Sequence, residues 1–449
     1  MKPDNTLRTR RDFLRTTVLG GALSWTVPAF LSNTFSALHA EAADSATQVA
    51  TGRDGSILVV LQMAGGNDGL NTVVPFSNDY YRSARPRLGI AANDVLKIND
   101  SVGLHPSLTG FKSLYDGGNL SIVQGVGYPN PNRSHFRSTE IWQTASDSER
   151  IEKYGWIGRY FDNACAGCDA TVGVSIGNQM PQAFASKTPT GVSLQNPQSY
   201  RFIDGAGGGN SEQSYRKLNT PDMEPAMDSQ AADGGSDVNS GGTIGAISGP
   251  SPHTGSALDF LERTAMDAQV SSDKILAVST KVQNKAAYPQ SPLGTSLSLV
   301  ARLIGGGLPT RIYYVSQGGY DTHTNQINTQ QRLLKELGDS VKAFTDDMKA
   351  QGNMGRVLVM TFSEFGRRLT ENANAGTDHG AAAPMFVVGE KVRAGLVGHY
   401  PSLAPGDLLN GDIRYNVDFR SIYAGILEGW LKTPSAPILG RHFQPLACA

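Results

Sequence analysis

The run Ser56-Ile-Leu-Val-Val-Leu-Gln-Met-Ala64 ends abruptly in Gly65-Gly66-Asn67-Asp68-Gly69. A strand that is apolar at nearly every position, not at alternate ones, must be covered on both faces. That demand rules out a one-sided antiparallel sheet and points to a sheet sandwiched between helices. The Gly-rich end turns the chain sharply at the strand's carboxyl end.

The same design recurs along the chain. Leu120–Gly125, Arg311–Ser316, Arg356–Thr361 and Met385–Val388 are further short apolar runs. Between them, Leu108–Tyr115, Ser134–Ala145, Ala257–Asn284, Pro292–Leu303, Gln330–Gln351 and Phe419–Leu431 carry helical spacing. Strands alternating with helices predict an α/β sandwich with a mostly parallel central sheet. Residues 205–254 are rich in Gly, Ser, Asp and Asn and predict a flexible loop insertion. One domain over residues 50–449, interrupted by that insertion, accounts for the pattern.

Composition excludes several classes. Lys and Arg number 39 against 40 Asp and Glu. No basic excess exists to hold a nucleic-acid backbone. No stretch of about twenty clean apolar residues follows the N-terminal region, so no membrane span is expected. The first residues read as an address. Arg10-Arg11-Asp-Phe13-Leu14 precedes a weakly apolar segment and the small-residue tail Ala40-Glu41-Ala42. This resembles a bacterial twin-arginine signal peptide over residues 1–42, with its export machinery as partner and a periplasmic or secreted destination. In such a compartment Cys165 and Cys168 can close a small disulfide loop. A redox or zinc motif is the sharper alternative, but no second cysteine pair accompanies it.

In open α/β sheets, ligands bind beyond the carboxyl ends of the strands. The residues after the apolar runs include Asp68, Ser134 and His135, Asp321 and His323, Glu364, and Asp378 and His379. Three of the chain's eight histidines fall in this set. Carboxylates and imidazoles are donors for a divalent cation, and the mixture suits zinc or manganese. Taken singly, an Asp after a Gly-Gly turn is most often a turn former. A His beside an Asp is most often an ordinary hydrogen-bond partner.

The order of these motifs resembles the alkaline phosphatase and sulfatase superfamily, and more closely a secreted bacterial family catalogued as domain of unknown function 1501. The resemblance runs from Leu58 to Leu431. It rests on Asp68-Gly69 after the first strand, on Gly319-Tyr320-Asp321-Thr322-His323, and on His379-Gly-Ala-Ala-Ala-Pro384-Met-Phe-Val-Val-Gly389. It implies an alkaline-phosphatase-like three-layer sandwich. It also implies an exported, metal-dependent hydrolase of phosphate or sulfate esters, acting on a small molecule or a glycan. Asp68, Asp321, His323, Glu364 and His379 would be the metal ligands. Ser134, before a helical segment, is the candidate nucleophile, with an ordinary helix cap as its plainer role. His135 is a candidate acid or further ligand. Arg133, Arg137, Arg367 and Arg368 are candidate oxyanion holders.

The chain also departs from the superfamily. Ser363-Glu364-Phe365-Gly366 stands where Asp-His is usual, and Phe365 cannot bind a metal. Asp321 and His323 are also closer in sequence than the usual spacing. No Cys-x-Pro-x-Arg suggests a formylglycine, and no G-x-S-x-G elbow suggests a serine esterase. The alternative is a catalytically degraded binding or assembly module of the cell envelope.

Overall fold

The computed structural model describes residues 55–165, 168–188, 190–197 and 271–448. The expected signal peptide over 1–42, the expected insertion over 205–254 and the first half of the helix expected over 257–284 lie outside the described residues.

Nine strands form one sheet. In spatial order they are Gly395–Val397, Leu120–Gly127, Ala383–Val388, Val357–Phe362, Ile57–Met63, Ile312–Gln317, Gly173–Ile176 and Val192–Leu194, with Val417–Asp418 also paired to Leu120–Gly127. All pairings are parallel except those of Ala383–Val388, which runs against both neighbours. The α/β architecture and mostly parallel sheet therefore match the expectation, with one antiparallel strand set into the sheet.

Both faces are covered, as the apolar runs require. Ile57, Val59, Leu61 and Met63 enter one core, shared with the helices Thr109–Asp116, Pro292–Gly305 and Gln326–Ala350. Leu58 and Val60 point the opposite way into a second core. That core is closed by the helices His135–Thr144, Trp156–Ala164 and Phe419–Gly425. The alternation is the two-residue period of a strand buried on both sides. Each fully buried Val, Leu or Ile contributes about 1.5–3 kcal/mol of transfer free energy, so the central strands anchor the sandwich.

Some elements differ from the sequence reading. The long helix begins at Gln326, a turn earlier than its apolar spacing indicates. The final helical stretch is not uniform: an α-helix to Gly425 passes into a π-helix over Ile426–Trp430. The helix Trp156–Ala164 and the strands Gly173–Ile176 and Val192–Leu194 were not anticipated. Cys165 and Cys168 form a disulfide, so the pair is not a zinc or dithiol site. Among the described residues, no helix is long and apolar enough to cross a membrane.

Candidate metal centre

The parallel strands deliver their carboxyl ends to one edge of the sheet. Ile57–Met63 leads into Gly65–Asp68, Ile312–Gln317 into Asp321 and His323, and Val357–Phe362 into Glu364. Leu120–Gly127 leads to the helix that begins at His135. The antiparallel strand Ala383–Val388 brings its amino end to the same edge. Its contribution, His379, therefore precedes it in sequence.

Four side chains converge there. One ligand atom from each of His135, Asp321 and His379 lies within 4.8 Å of the other two. His379 Nε2 is 3.2 Å from Asp321 Oδ1, and His135 Nε2 is 3.5 Å from Asp321 Oδ2. His323 Nε2 joins them, 3.2 Å from Asp321 Oδ1 and 2.9 Å from His379 Nε2.

Each imidazole is oriented from behind. His135 Nδ1 lies 2.8 Å from Glu364 Oε1, His379 Nδ1 lies 2.8 Å from the Arg133 carbonyl, and His323 Nδ1 lies 3.3 Å from Asp378 Oδ1. With an oxygen acceptor at each Nδ1, the neutral ring carries its proton there. Each Nε2 then presents a lone pair to the cluster. The Nε2 of His135 is buried and makes no hydrogen bond.

That orphaned nitrogen is the test of fit for a metal. Three inward lone pairs beside a carboxylate repel one another unless a cation lies among them. Zinc ligands about 2.0–2.1 Å from a tetrahedral ion stand about 3.3 Å from one another. The 3.2 and 3.5 Å between Asp321 and the Nε2 atoms of His379 and His135 are close to that spacing. The residues fit a divalent cation.

Charges around the cluster are uneven. Partial burial works to raise the Asp321 carboxyl, but the hydrogen-bonded Arg367 guanidinium and the neighbouring imidazoles outweigh it and bring it to about 2. The hydrogen bond to Glu364 holds His135 above the usual imidazole value, against the opposing effect of burial. Burial holds His379 below it, favouring the neutral ring that a metal requires.

The predicted ligands divide. Asp321, His323 and His379 belong to the cluster, and His135 lies in it with them. Glu364 stands behind, with its carboxylate accepting from Gly65 N at 2.8 Å as well as meeting His135. Its main-chain oxygen accepts from Trp142 Nε1 and Ser138 Oγ, which docks the His135–Thr144 helix. Asp68 is placed elsewhere. It caps the short Gly69–Thr72 helix at Leu70 N and is fully buried against Arg85, 2.5 Å away, with a further bond from Gln326. Its oxygens are already committed to a buried guanidinium that the sequence reading had not linked to it.

The arginines divide as well. Arg367 is buried and spends its guanidinium on the carbonyls of Gly65, Gly66, Tyr320 and Thr377 and on Asp321. It staples three loops together, with its side chain buried and turned to these protein oxygens. Arg137 is engaged by Glu140 and by the carbonyls of Asp147, Ser148 and Arg150. Arg133 and Arg368 are partly exposed and share Asp412.

Ser134 is exposed at the N-cap of its helix and makes no side-chain cap bond. It stands between Arg133, whose carbonyl holds His379, and His135. Phe365 packs under the cluster, its buried ring 4.9 Å from that of His135 and 4.6 Å from that of His379. Gly66 must be glycine here: its φ is +76°, and a Cβ would lie 2.2 Å from the Phe365 ring.

The sequence matches the family described as Protein of unknown function (DUF1501) over residues 56–411, most of the chain. The chain belongs to that family. No curated protein has a matching sequence. Among solved structures, this DUF1501 chain is similar to Ps i-CgsB in complex with k-i-k-neocarrahexaose, at 9% identity and a TM-score of 0.34, covering 86% of this chain and 73% of that one. It is also similar to the lipoteichoic acid synthase LtaP from Listeria monocytogenes, at 8% identity, 82% and 73% coverage and a TM-score of 0.34. A protein in the alkaline phosphatase superfamily from Vibrio parahaemolyticus matches at 8% identity, 92% and 77% coverage and a TM-score of 0.34. At such scores the likenesses bear on neither substrate nor mechanism.

Proposed function

We propose that this DUF1501 protein is an exported, metal-dependent hydrolase of phosphate or sulfate esters. The observation that carries the reading is the set of inward Nε2 lone pairs around Asp321, with the buried His135 Nε2 unpartnered. His135, Asp321 and His379 would hold the ion, with His323 beside them. Imidazole and carboxylate donors without thiolate favour zinc or manganese. A bound ion supplies Lewis-acid polarisation of a phosphoryl or sulfuryl oxygen.

The chain's own groups do the rest. Glu364, Asp378 and the Arg133 carbonyl hold the rings in their metal-ready tautomers. Ser134 offers an exposed hydroxyl not spent on capping. Its Oγ would bond to phosphorus or sulfur as the substrate alcohol leaves with a proton. Water then cleaves the serine ester and restores the hydroxyl. Unpaired N–H groups in the first turn of the His135–Thr144 helix would receive the ester oxygens. Arg133 and Arg368 share one carboxylate, which leaves one positive charge for an anionic small molecule or glycan.

The test is hydrolysis of an activated aryl phosphate and an aryl sulfate by metal-reconstituted protein. Ser134→Ala should lose on the order of 10³-fold or more in rate while keeping its ion. His379→Ala should lose both. Equal activity in wild type and Ser134→Ala would remove the serine from the mechanism. A second reading, an envelope binding or assembly module, draws on Phe365, an apolar ring where the superfamily carries a ligand. Metal-loaded wild type that turns over neither ester would favour it. Delivery through the twin-arginine machinery to the periplasm or beyond is proposed from Arg10-Arg11. Arg10→Lys with Arg11→Lys should strand precursor in the cytoplasm.

A further inference from the structure

Asn410-Gly411 is the only Asn-Gly pair in the chain. It forms the two central residues of a tight turn. Leu409 and Asp412 exchange both backbone hydrogen bonds around it, at 2.9 and 3.0 Å. Asn410 and Gly411 have positive φ, +54° and +83°. A type I′ turn demands positive φ at both central positions, and Asn-Gly meets that demand at little steric cost.

The pair that folds this turn is also chemically labile. The Asn410 side-chain amide lies within one peptide unit of the Gly411 backbone nitrogen, and glycine has no side chain to shield that nitrogen. Every other asparagine in the chain precedes a residue that carries one. Both turn residues are exposed. The turn's two hydrogen bonds use the amides of Leu409 and Asp412, not that of Gly411. A Cβ placed at Gly411 would find its nearest neighbour outside the turn in Arg368 Nη1, 4.0 Å away, so the surroundings are open.

The turn also supports the metal edge. Asp412, 1% exposed, accepts from Arg133 Nε at 2.9 Å and lies 3.4 Å from Arg368 Nε. The Arg133 carbonyl in turn holds His379 Nδ1 at 2.8 Å. The links run Asn410, Asp412, Arg133, His379.

We propose that Asn410 is a self-modification site, converting to isoaspartate and aspartate, and that the isoaspartyl form loosens the support of His379. Gly411 N attacks Asn410 Cγ. The new C–N bond closes a five-membered imide as the Cγ–Nδ2 bond breaks, and the Gly411 proton leaves with the departing ammonia. Water then opens the imide. Addition at the side-chain carbonyl gives aspartate; addition at the main-chain carbonyl gives isoaspartate, with the backbone rerouted through the side chain. Water is the sole co-reactant. The isoaspartyl backbone is one atom longer, so it cannot keep both Leu409–Asp412 hydrogen bonds, and Asp412 moves off Arg133. The link to His379 rests on the metal centre proposed above; the conversion itself does not.

The experiment ages the purified full chain for days in mildly alkaline buffer, then maps its peptides by mass spectrometry. The peptide carrying residue 410 should show the amide-to-acid mass gain, in an aspartyl and an isoaspartyl form. It should convert faster than exposed Asn374, which precedes Ala375. Asn410→Gly, which keeps positive φ at no steric cost, should show no conversion there. Conversion of residue 410 no faster than that of Asn374 would overturn the proposal. Zinc titration of fresh and aged protein tests the consequence. The isoaspartyl form should bind zinc about tenfold more weakly, as expected when a ligand's supporting contact is lost. Asn410→Gly should bind equally before and after ageing. Asn410→Asp, which gains the charge without the extra backbone atom, should bind as fresh wild type does. Unchanged zinc affinity in the isoaspartyl form would overturn the link to His379. Wild type that binds no zinc would refute the metal centre and that link together, while the peptide map decides the modification by itself.

Discussion

Replacing Asp68 with alanine separates a structural carboxylate from a ligand. Asp68 and Arg85 have side-chain exposures of 1% and 0%. Removing the carboxylate strands a guanidinium in a site with no access to water. Breaking a buried pair by deleting one partner costs about 3–5 kcal/mol, most of it the penalty of the charge left behind. Loss of the cap at Leu70 N adds about 1 kcal/mol, although the two are not strictly additive. Against a typical stability of about 5–15 kcal/mol, that brings the variant close to unfolding. Urea denaturation followed by far-UV circular dichroism should show a large drop in midpoint. Replacing Arg85 with methionine as well should recover part of the loss, because no unpaired charge then remains. The folded fraction of Asp68→Ala should retain wild-type metal content, since the residue lies outside the cluster. A variant of unchanged stability that has lost its metal would refute this reasoning and return Asp68 to the ligand set.

Three further outcomes follow from the structure. His105 is buried, and burial lowers it to about 4 from an ordinary 6.5. The unfolded chain takes up this proton as pH falls through 6.5 while the folded chain does not, so folding should weaken by about 3 kcal/mol between pH 6.5 and 4. Stability curves of wild type and His105→Gln against pH check this, and parallel curves would contradict it. Arg367→Lys keeps the charge but cannot serve five acceptors on three loops. A loss of about 3 kcal/mol is expected with about 10-fold weaker metal binding, read by denaturation and metal titration. Because the Cys165–Cys168 loop is so short, the Cys165→Ser, Cys168→Ser double variant should lose only about 2 kcal/mol, measured by urea denaturation.

Much of the fold was legible because burial on both faces leaves a plain mark. Ile57–Met63 could not have been a surface strand, and the helices flanking it carry one-sided apolar spacing. Short strands such as Gly173–Ile176 and Val192–Leu194 are too brief to show a period. The antiparallel direction of Ala383–Val388 is a property of pairing that local composition does not encode. The cluster was legible for Asp321, His323 and His379, which flank strands at the ligand-binding edge. It misled for Asp68 because the partner that claims it, Arg85, is seventeen residues away on another segment. Glu364 has the chemistry of a ligand, and only the tertiary structure turns it toward His135 Nδ1. Arg367 looked like an anion holder, and the four carbonyls that occupy it are contributed by loops distant in sequence.

The central claim is that His135, Asp321 and His379 together hold one divalent cation. Elemental analysis of the purified protein by mass spectrometry tests it most directly, comparing wild type with Ser134→Ala, Asp321→Asn and His379→Ala. The account predicts about one zinc or manganese ion per chain in wild type and Ser134→Ala, and its loss in the other two variants, each still folded. Wild-type protein without a stoichiometric metal, or with the same content in His379→Ala, would contradict it.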